Sequence, residues 1–268
     1  MIVTIKNGDC MHANVHHYPD GQKNVTLDME WFNNPKELIE IKCNVRNFSD
    51  LEILLCVVSA LRKEDFFIGS IHFNYLFGMR SDRSFEAGMP NYFRDVIAPI
   101  INSLNISQIT FLQPHSFISQ LCIKNTHLEN YRIYDALARS ELFNSFRVGG
   151  DESFSLWGYN LNANFFKLRV DDKVELRLNR HVIQRMKNIK SEITVIDDLC
   201  DGGATFIAAS AYLKENFPDI KINLFVIHGL FTKGIEHVAA HFDKIFTTNS
   251  YQEFEPHPKV EVVNVWND

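Results

Sequence analysis

The residues best suited to chemistry lie in the segment ITVIDDLCDGGATFIAAS, between Ile193 and Ser210. Four largely apolar residues run into Asp197 and Asp198, and a glycine-rich turn at 201–205 precedes an alanine-rich stretch that predicts a helix. Carboxylates accept hydrogen bonds from vicinal ribose hydroxyls, glycines let backbone N–H groups approach a phosphate, and a helix N-terminus favours the anion. The segment therefore predicts a site for a phosphorylated sugar. The competing interpretation is a strand–helix unit whose aspartates only cap the helix.

Short apolar runs alternate with helical patterns along the chain, which predicts an α/β fold with a parallel sheet. Helices are expected over Ile53–Leu61 and Tyr92–Leu104 and from about Thr205, and a turn at Val148-Gly149-Gly150. Strands are expected at Phe67–Phe73, Gln108–Leu112, Asn164–Val170, Ile193–Ile196, Lys221–Ile227 and Val260–Val265. Because ligands bind at the carboxyl ends of such strands, Asp197 and Asp198 are expected at a binding edge.

Composition and charge narrow the class of protein. The 268 residues, 46% hydrophobic and 22% charged, are typical of a soluble globular protein of one large or two smaller α/β domains. A net charge of −6 gives no broad basic surface for nucleic acid, and no apolar run suggests a membrane span. The five cysteines form no CxxC pair and the N-terminus lacks a signal-peptide pattern, so we expect a cytoplasmic protein.

The sugar-phosphate segment resembles the loop D-D-x-x-D-T-x-G-T of ribose-phosphate pyrophosphokinases, which have the type I phosphoribosyltransferase fold. The matching residues, in register, are Asp197, Asp198, Asp201 and Thr205. Gly202 stands where the family usually has Thr, and Ala204 where it usually has Gly. The resemblance implies that Asp197 and Asp198 hold the sugar hydroxyls. It implies that the 5-phosphate lies in a cradle formed by Asp201, Gly202, Gly203, Ala204 and Thr205.

The resemblance also implies the architecture. Two phosphoribosyltransferase-like halves are expected, each a mostly parallel sheet flanked by helices. Residues 1–132 would form the ATP side, and residues 133–268 would carry the ribose-phosphate loop. Because the family's adenine loop usually comes from a neighbouring subunit, a homo-oligomer, dimer or hexamer, is implied as well.

Two segments of the first half resemble the family's ATP-binding loops. The segment Tyr18-Pro19-Asp20-Gly21-Gln22 is similar to its aromatic-x-Asp/Asn-x-Glu loop, which implies adenine contacts for Tyr18, Asp20 and Gln22. The segment GMRSDR at 78–83, followed by Pro90, is similar to its Y-x-R-Q-D-R/K loop. That similarity implies ATP-phosphate binding by Arg80 and Arg83, with Asp82 ordering the loop. Read alone, the first segment is an ordinary turn and the second a surface charge cluster.

Three further segments resemble the catalytic and metal region of the family. Gln113-Pro114-His115-Ser116 is similar to D-L-H-A/S, which implies that His115 contacts Mg²⁺ and ATP, although Gln113 replaces the Asp. Arg147 replaces the Asp of a D-x-G-G turn, and Asp151 is the candidate that compensates for it at the metal site. Lys167 and Arg169 match a K-x-R strand and, two residues apart, face the same side, so they are the implied catalytic cations.

The implied reaction moves the β,γ-diphosphate of Mg-ATP to the 1-hydroxyl of ribose 5-phosphate, giving PRPP and AMP for nucleotide biosynthesis. A second hypothesis keeps this chemistry with ADP-ribose as acceptor, in NAD metabolism, because Gly202 lacks the threonine hydroxyl and leaves room for a bulkier substituent. A third is a non-catalytic regulatory subunit, favoured by Gln113 and Arg147 but opposed by Lys167 and Arg169. A plain phosphoribosyltransferase is a fourth hypothesis, but it would need no ATP loops.

Overall fold

Two compact units, Met1–Asn130 and Tyr131–Asp268, make up the chain in the computed structural model. The structure describes residues 3–7, 9–32, 38–128, 141–150, 161–170, 173–189 and 192–266. Within 3–12 and 167–175 it describes the backbone of the strands only. Among the described residues, no helix has the length and apolar character needed to cross a bilayer.

The first unit is an α/β sheet with a hairpin attached. Its described elements are β1 (Val3–Asn7), β2 (Asp9–His12), β3 (Asn14–His17), β4 (Lys23–Thr26), a 3-10 turn (Met29–Trp31), β5 (Leu38–Val45), α1 (Phe48–Lys63), β6 (Phe67–Leu76), a π-helical turn (Phe93–Ile97), α2 (Ala98–Ser103), β7 (Gln108–Phe111), α3 (Phe117–Leu121) and β8 (Thr126–Leu128). The sheet order is β2-β1-β5-β6-β7-β8, and β5 to β8 are parallel. Strands β3 and β4 form a separate antiparallel hairpin.

Helix α1 is favoured by the residues at both of its ends and by its buried apolar face. Asn47 caps it by accepting a hydrogen bond from the Asp50 N–H, and Arg62 and Lys63 lie in the last turn, where cations favour the helix dipole. Its buried side chains pack on the same core as β5, β6 and β7, in which the Phe73 and Phe111 rings stack 5.5 Å apart. Each fully buried side chain of this size contributes about 1.5–3 kcal/mol.

The second unit is built on a parallel sheet. Its described elements are a 3-10 turn (Glu141–Asn144), β9 (Phe146–Gly149), β10 (Ala163–Asn164), β11 (Phe166–Val170), β12 (Lys173–Arg177), α4 (Arg180–Met186), β13 (Ile193–Cys200), α5 (Ala204–Asn216), β14 (Ile222–Gly229), α6 (Ile235–Ala239), β15 (Ile245–Thr248) and β16 (Val260–Val263). The sheet order is β10-β9-β13-β14-β15-β16, with parallel pairs throughout. Every residue of β14 is buried, as is usual for a central strand covered on both faces. Strands β11 and β12 form an antiparallel hairpin outside this sheet.

The predicted α/β class with parallel sheets and flanking helices is confirmed, and the predicted helices and most strands occur where expected. Two local predictions were wrong. Val148 and Gly149 belong to β9 rather than to a turn, because both pair with β13. Strand β13 does not end at Ile196 but continues to Cys200, pairing Asp197 with Val226 of β14. Aspartate is depleted in strands, so the sequence pattern stopped too early.

Candidate functional site

The glycine-rich turn after β13 is the part of the second unit best shaped for an anion. Gly203 has φ +83°, a left-handed conformation that favours glycine, and it caps α5. A Cβ atom on Gly203 would lie only 2.6 Å from Val238 Cγ2. The first backbone N–H groups of α5, at Ala204 and Thr205, have no partner within the helix. The turn therefore presents the N–H groups of Ala204 and Thr205 as donors. Its close contact with Val238 leaves room only for glycine at position 203.

The two aspartates of β13 are not equivalent. Asp197 is half-buried and Asp198 is buried, because successive strand residues point to opposite faces of the sheet. Asp197 Oδ1 accepts a hydrogen bond from the Asp198 N–H at 2.9 Å. A Cβ atom on Gly150 would overlap the Asp197 Oδ2 atom. The structure therefore brings the end of β9 against the Asp197 carboxylate, and Asp197 is the more accessible of the pair.

The loop after β14 is bonded to the turn after β13. The N–H groups of Leu230 and Phe231 donate to the Cys200 carbonyl at 2.9 and 3.1 Å. Thr232 donates to Asp201 twice, from its N–H to the carbonyl at 3.1 Å and from Oγ1 to Oδ1 at 2.7 Å. Four hydrogen bonds therefore hold the two loops at the same edge of the sheet.

The space beside Gly202 is lined by the side chain of Lys233. A Cβ atom at this position would lie 3.4–3.6 Å from the Lys233 Cε, Cδ and Cγ atoms, which is ordinary van der Waals contact. A methyl group therefore fits at position 202, with the methylenes of Lys233 as its nearest neighbours, and the expectation of room for a bulkier acceptor stays a prediction. Lys233 itself is exposed.

Cys200, inside this loop, is a packed and protonated thiol. Burial, together with the nearby Asp197 and Asp201 carboxylates, raises its pKa to about 12. A thiol of that pKa is not a nucleophile near neutral pH, because the thiolate is the reactive form. Cys200 is therefore a small buried side chain of the loop.

Several expected residues fall outside this cluster or outside the description. Lys167 and Arg169 lie on β11, paired in backbone register with Leu176 and Val174 of β12, and their side chains are outside the described part. Asp151 lies outside the described residues. Arg147 lies on β9, where its N–H donates to Asn162 Oδ1 at 2.8 Å. The roles of the two catalytic cations stay predictions.

In the first unit, the adenine-loop candidates lie at the tip of the β3–β4 hairpin. The Tyr18 N–H donates to the Gln22 carbonyl at 2.9 Å, and the Gln22 N–H to Asp20 Oδ1 at 3.1 Å. Tyr18 is 48% exposed. The turn is therefore closed on itself, with its aromatic ring turned to solvent.

The Arg80–Arg83 segment is an exposed loop folded around one buried carboxylate. Arg80 and Arg83 are exposed, whereas Asp82 is buried. The Asp82 carboxylate accepts hydrogen bonds from Ser116 Oγ and, at 3.4 Å, from Arg83 Nε. Its carbonyl accepts from the Asn91 side chain. Asp82 thus holds together the loop that presents the two arginines.

No family model matches the sequence. The chain is 26% identical over 231 residues to the ribose-phosphate pyrophosphokinase of Mycoplasmopsis pulmonis (strain UAB CTIP), which covers 79% of this chain and 69% of that protein. Its fold is similar to the crystal structure of phosphoribosylpyrophosphate synthetase from Mycobacterium smegmatis, with a TM-score of 0.72 and 14% identity. That similarity covers 94% of this chain and 86% of the other.

The chain is similar in sequence and in fold to ribose-phosphate pyrophosphokinases. The family is one of transferase enzymes, and the resemblance noted in the sequence is confirmed at this level. The turn after β13 is the segment that resembles the ribose-phosphate loop of these enzymes.

A metal held by protein ligands does not fit the residues that the structure describes. Among them, no three His, Cys, Asp or Glu side chains are grouped as a metal site. His115 is exposed, and the positions of the two expected aspartates are taken by Gln113, an amide, and Arg147, a cation.

Two features of the site were missed at the level of sequence. One is the pair of hydrogen bonds from Thr232 to Asp201, and the other is the contact of Lys233 with Gly202. A partial signal was available, because the segment Val226–Phe231, just before Thr232, resembles the T-H-G-x-F segment of ribose-phosphate pyrophosphokinases. The two residues that follow were left without a role, since nothing in one sequence shows that two loops 30 residues apart touch.

Proposed function

We propose that this chain transfers the β,γ-diphosphoryl group of Mg-ATP to the 1-hydroxyl of a ribose that carries a phosphate on C5, with ribose 5-phosphate as the first acceptor. The observation that supports it best is the glycine turn at 201–203, fixed between β13, α5 and the next loop. Its order of carboxylate, left-handed glycine and helix N-terminus suits a sugar phosphate.

On the acceptor side, Asp197 has the clearest access to the 2- and 3-hydroxyls, because it is only half-buried. Asp198, which is buried, supports the strand that carries Asp197. The 5-phosphate binds the backbone N–H groups of residues 202–205, where the dipole of α5 adds favourable charge.

In the chemical step, the acceptor 1-oxygen forms a bond to the β-phosphorus of ATP and the bond from that phosphorus to the α-phosphate bridging oxygen breaks. AMP leaves, and the hydroxyl proton passes to solvent. Lys167 and Arg169 stabilise charge on the moving diphosphate, and catalysis rests on positioning and charge neutralisation without a covalent intermediate.

On the donor side, Arg80 and Arg83 bind the ATP phosphates, His115 contacts the same group, and Tyr18, Asp20 and Gln22 contact adenine. We also propose that residues 1–132 bind ATP and that residues 133–268 bind the sugar. The chain assembles as a homo-oligomer, a dimer or a hexamer, and is located in the cytoplasm.

ADP-ribose is a second candidate acceptor. Position 202 offers no hydroxyl to a terminal phosphate, and an exposed cation stands beside it. The phosphate on C5 of ADP-ribose is a diester, so it needs one hydrogen-bond donor fewer than the terminal phosphate of ribose 5-phosphate. The second phosphate of ADP-ribose is available to a neighbouring cation.

The test supplies purified protein with Mg-ATP and either acceptor and follows AMP and the diphosphorylated product by chromatography and mass. Asp197→Asn should lower the rate about 100-fold or more, since it removes a charged acceptor from the sugar site. Asp219→Asn is the matched control, because Asp219 is an exposed carboxylate before β14, at the opposite edge of the sheet. If folded protein releases no AMP with either acceptor, the result would favour the non-catalytic or phosphoribosyltransferase alternatives.

A further inference from the structure

The side chain of Lys233 covers the position in the ribose-phosphate loop at which this chain lacks a side chain. Its Cε atom would lie 3.4 Å from a Cβ atom on Gly202. One further C–N bond, about 1.45 Å, leads to the ammonium nitrogen. The ammonium group is therefore within about 5 Å of the place where a residue-202 side chain would begin.

The backbone around Lys233 is held in place with respect to that loop. Thr232, its neighbour, makes both of the hydrogen bonds to Asp201, and the Gly234 N–H donates to the Phe231 carbonyl at 2.8 Å. Phe231 adopts φ +43°, so the chain turns sharply just before Lys233. The lysine is thus presented to the turn by a fixed backbone.

The charge of Lys233 is available for a ligand. The side chain is exposed, and among the described residues it makes no ion pair. Its methylenes pack on Gly202 while the ammonium stays in solvent, as is usual for a lysine that covers apolar surface. A lysine ammonium is a compact charge with three donors and binds phosphate well.

We propose that Lys233 is a positioning residue that binds the phosphate carried on C5 of the acceptor, in place of the side chain missing at Gly202. This assignment rests on the proposed function, because it requires an acceptor phosphate in the turn after β13. The phosphate that it meets is either the single one of ribose 5-phosphate or the second one of a C5 diphosphate, and the two sources are separable.

Three variants separate charge from packing. Lys233→Met keeps the methylenes on Gly202 but removes the ammonium, whereas Lys233→Arg keeps the charge. Lys221→Met is the matched control, because Lys221 precedes β14 at the far edge of the sheet and pairs with Glu192 at 3.5 Å. Dissociation constants for ribose 5-phosphate and ADP-ribose are measured by calorimetry, and the turnover rate at saturating acceptor is measured beside them.

Lys233→Met should weaken binding about tenfold, as expected for one charge-assisted hydrogen bond, with little change in the saturated turnover rate. Lys233→Arg should retain most of the affinity, and Lys221→Met should bind like the unmodified chain. Weaker binding of both acceptors assigns Lys233 to the first phosphate, and weaker binding of ADP-ribose alone assigns it to the second.

Unchanged affinity of Lys233→Met for both acceptors would overturn the assignment while leaving the proposed function intact. Absence of binding by the unmodified chain to either acceptor would overturn the proposed function, and the role of Lys233 with it.

Discussion

In the second unit the candidate ligand groups are mostly backbone atoms held by strands, whereas in the first unit they are long side chains on exposed loops. Gly203 lies between a buried strand and α5, and its loop is bonded to the next one. Tyr18 lies at a hairpin tip and is 48% exposed. Arg83 lies on an open loop and has 71% of its side chain exposed. The candidate site of the second unit is therefore preorganised by the fold, whereas that of the first unit depends on the conformations of a few exposed side chains.

The largest expected effect comes from the glycine turn. Gly203→Ala should cost about 2–5 kcal/mol of unfolding free energy, since it adds left-handed strain and an overlap with Val238. Acceptor binding should be lost with it. Gly202→Ala is the matched control and should stay near the unmodified stability, because its new methyl would only contact Lys233.

Thermal unfolding and acceptor titration of both alanine variants check this pair. Equal stability of the two would show that the turn is not held by Val238, and the contrast between the units would then lose its structural basis.

A smaller effect is expected where the first unit does have a buried polar contact. Ser116→Ala removes a hydrogen bond to the buried Asp82 carboxylate, so we expect a loss of about 1–3 kcal/mol and a several-fold higher KM for ATP. Ser103→Ala removes an exposed hydroxyl whose bond is to the Ile100 carbonyl, and should change both by little. A Ser116→Ala variant with unchanged stability and KM would mean that Asp82 does not order the arginine loop.

The smallest effect on stability is expected at the hairpin tip. Tyr18→Ala should alter the unfolding free energy by less than about 0.5 kcal/mol, because the ring is exposed. The KM for ATP should nevertheless rise about tenfold through loss of stacking on the base. Tyr18→Phe keeps the ring and should retain the normal KM. If Tyr18→Ala binds ATP normally, the hairpin is an ordinary turn.

The sequence was informative where local patterns decide structure. Buried strands such as β14 and the helix α1 could be located from their apolar runs, and the parallel sheet follows from their alternation. The glycine turn between β13 and α5 could be located as well, because its glycines and aspartates are neighbours in the chain. The continuation of β13 through two aspartates could not, since the pairing with β14 overrides their low strand propensity.

Contacts between distant loops were beyond the sequence for a different reason. The packing of Lys233 on Gly202 and of Gly150 against Asp197 depends on which strands are neighbours in the sheet and on their register. A glycine is compatible with open space or with a close neighbour, and one sequence does not distinguish the two. A Cβ atom at Gly202 would make only ordinary van der Waals contact with Lys233, whereas a Cβ atom at Gly150 would overlap the Asp197 carboxylate.

The two hydrogen bonds between Thr232 and Asp201 restrict how this loop can be exchanged for that of a related protein. Transplanting residues 201–205 alone would place a foreign turn against a native partner loop, with a threonine side chain directed at Lys233. The smallest exchangeable cassette is therefore discontinuous and consists of 200–205 together with 230–234. Chimeras that move both segments should fold and bind where single-loop grafts do not.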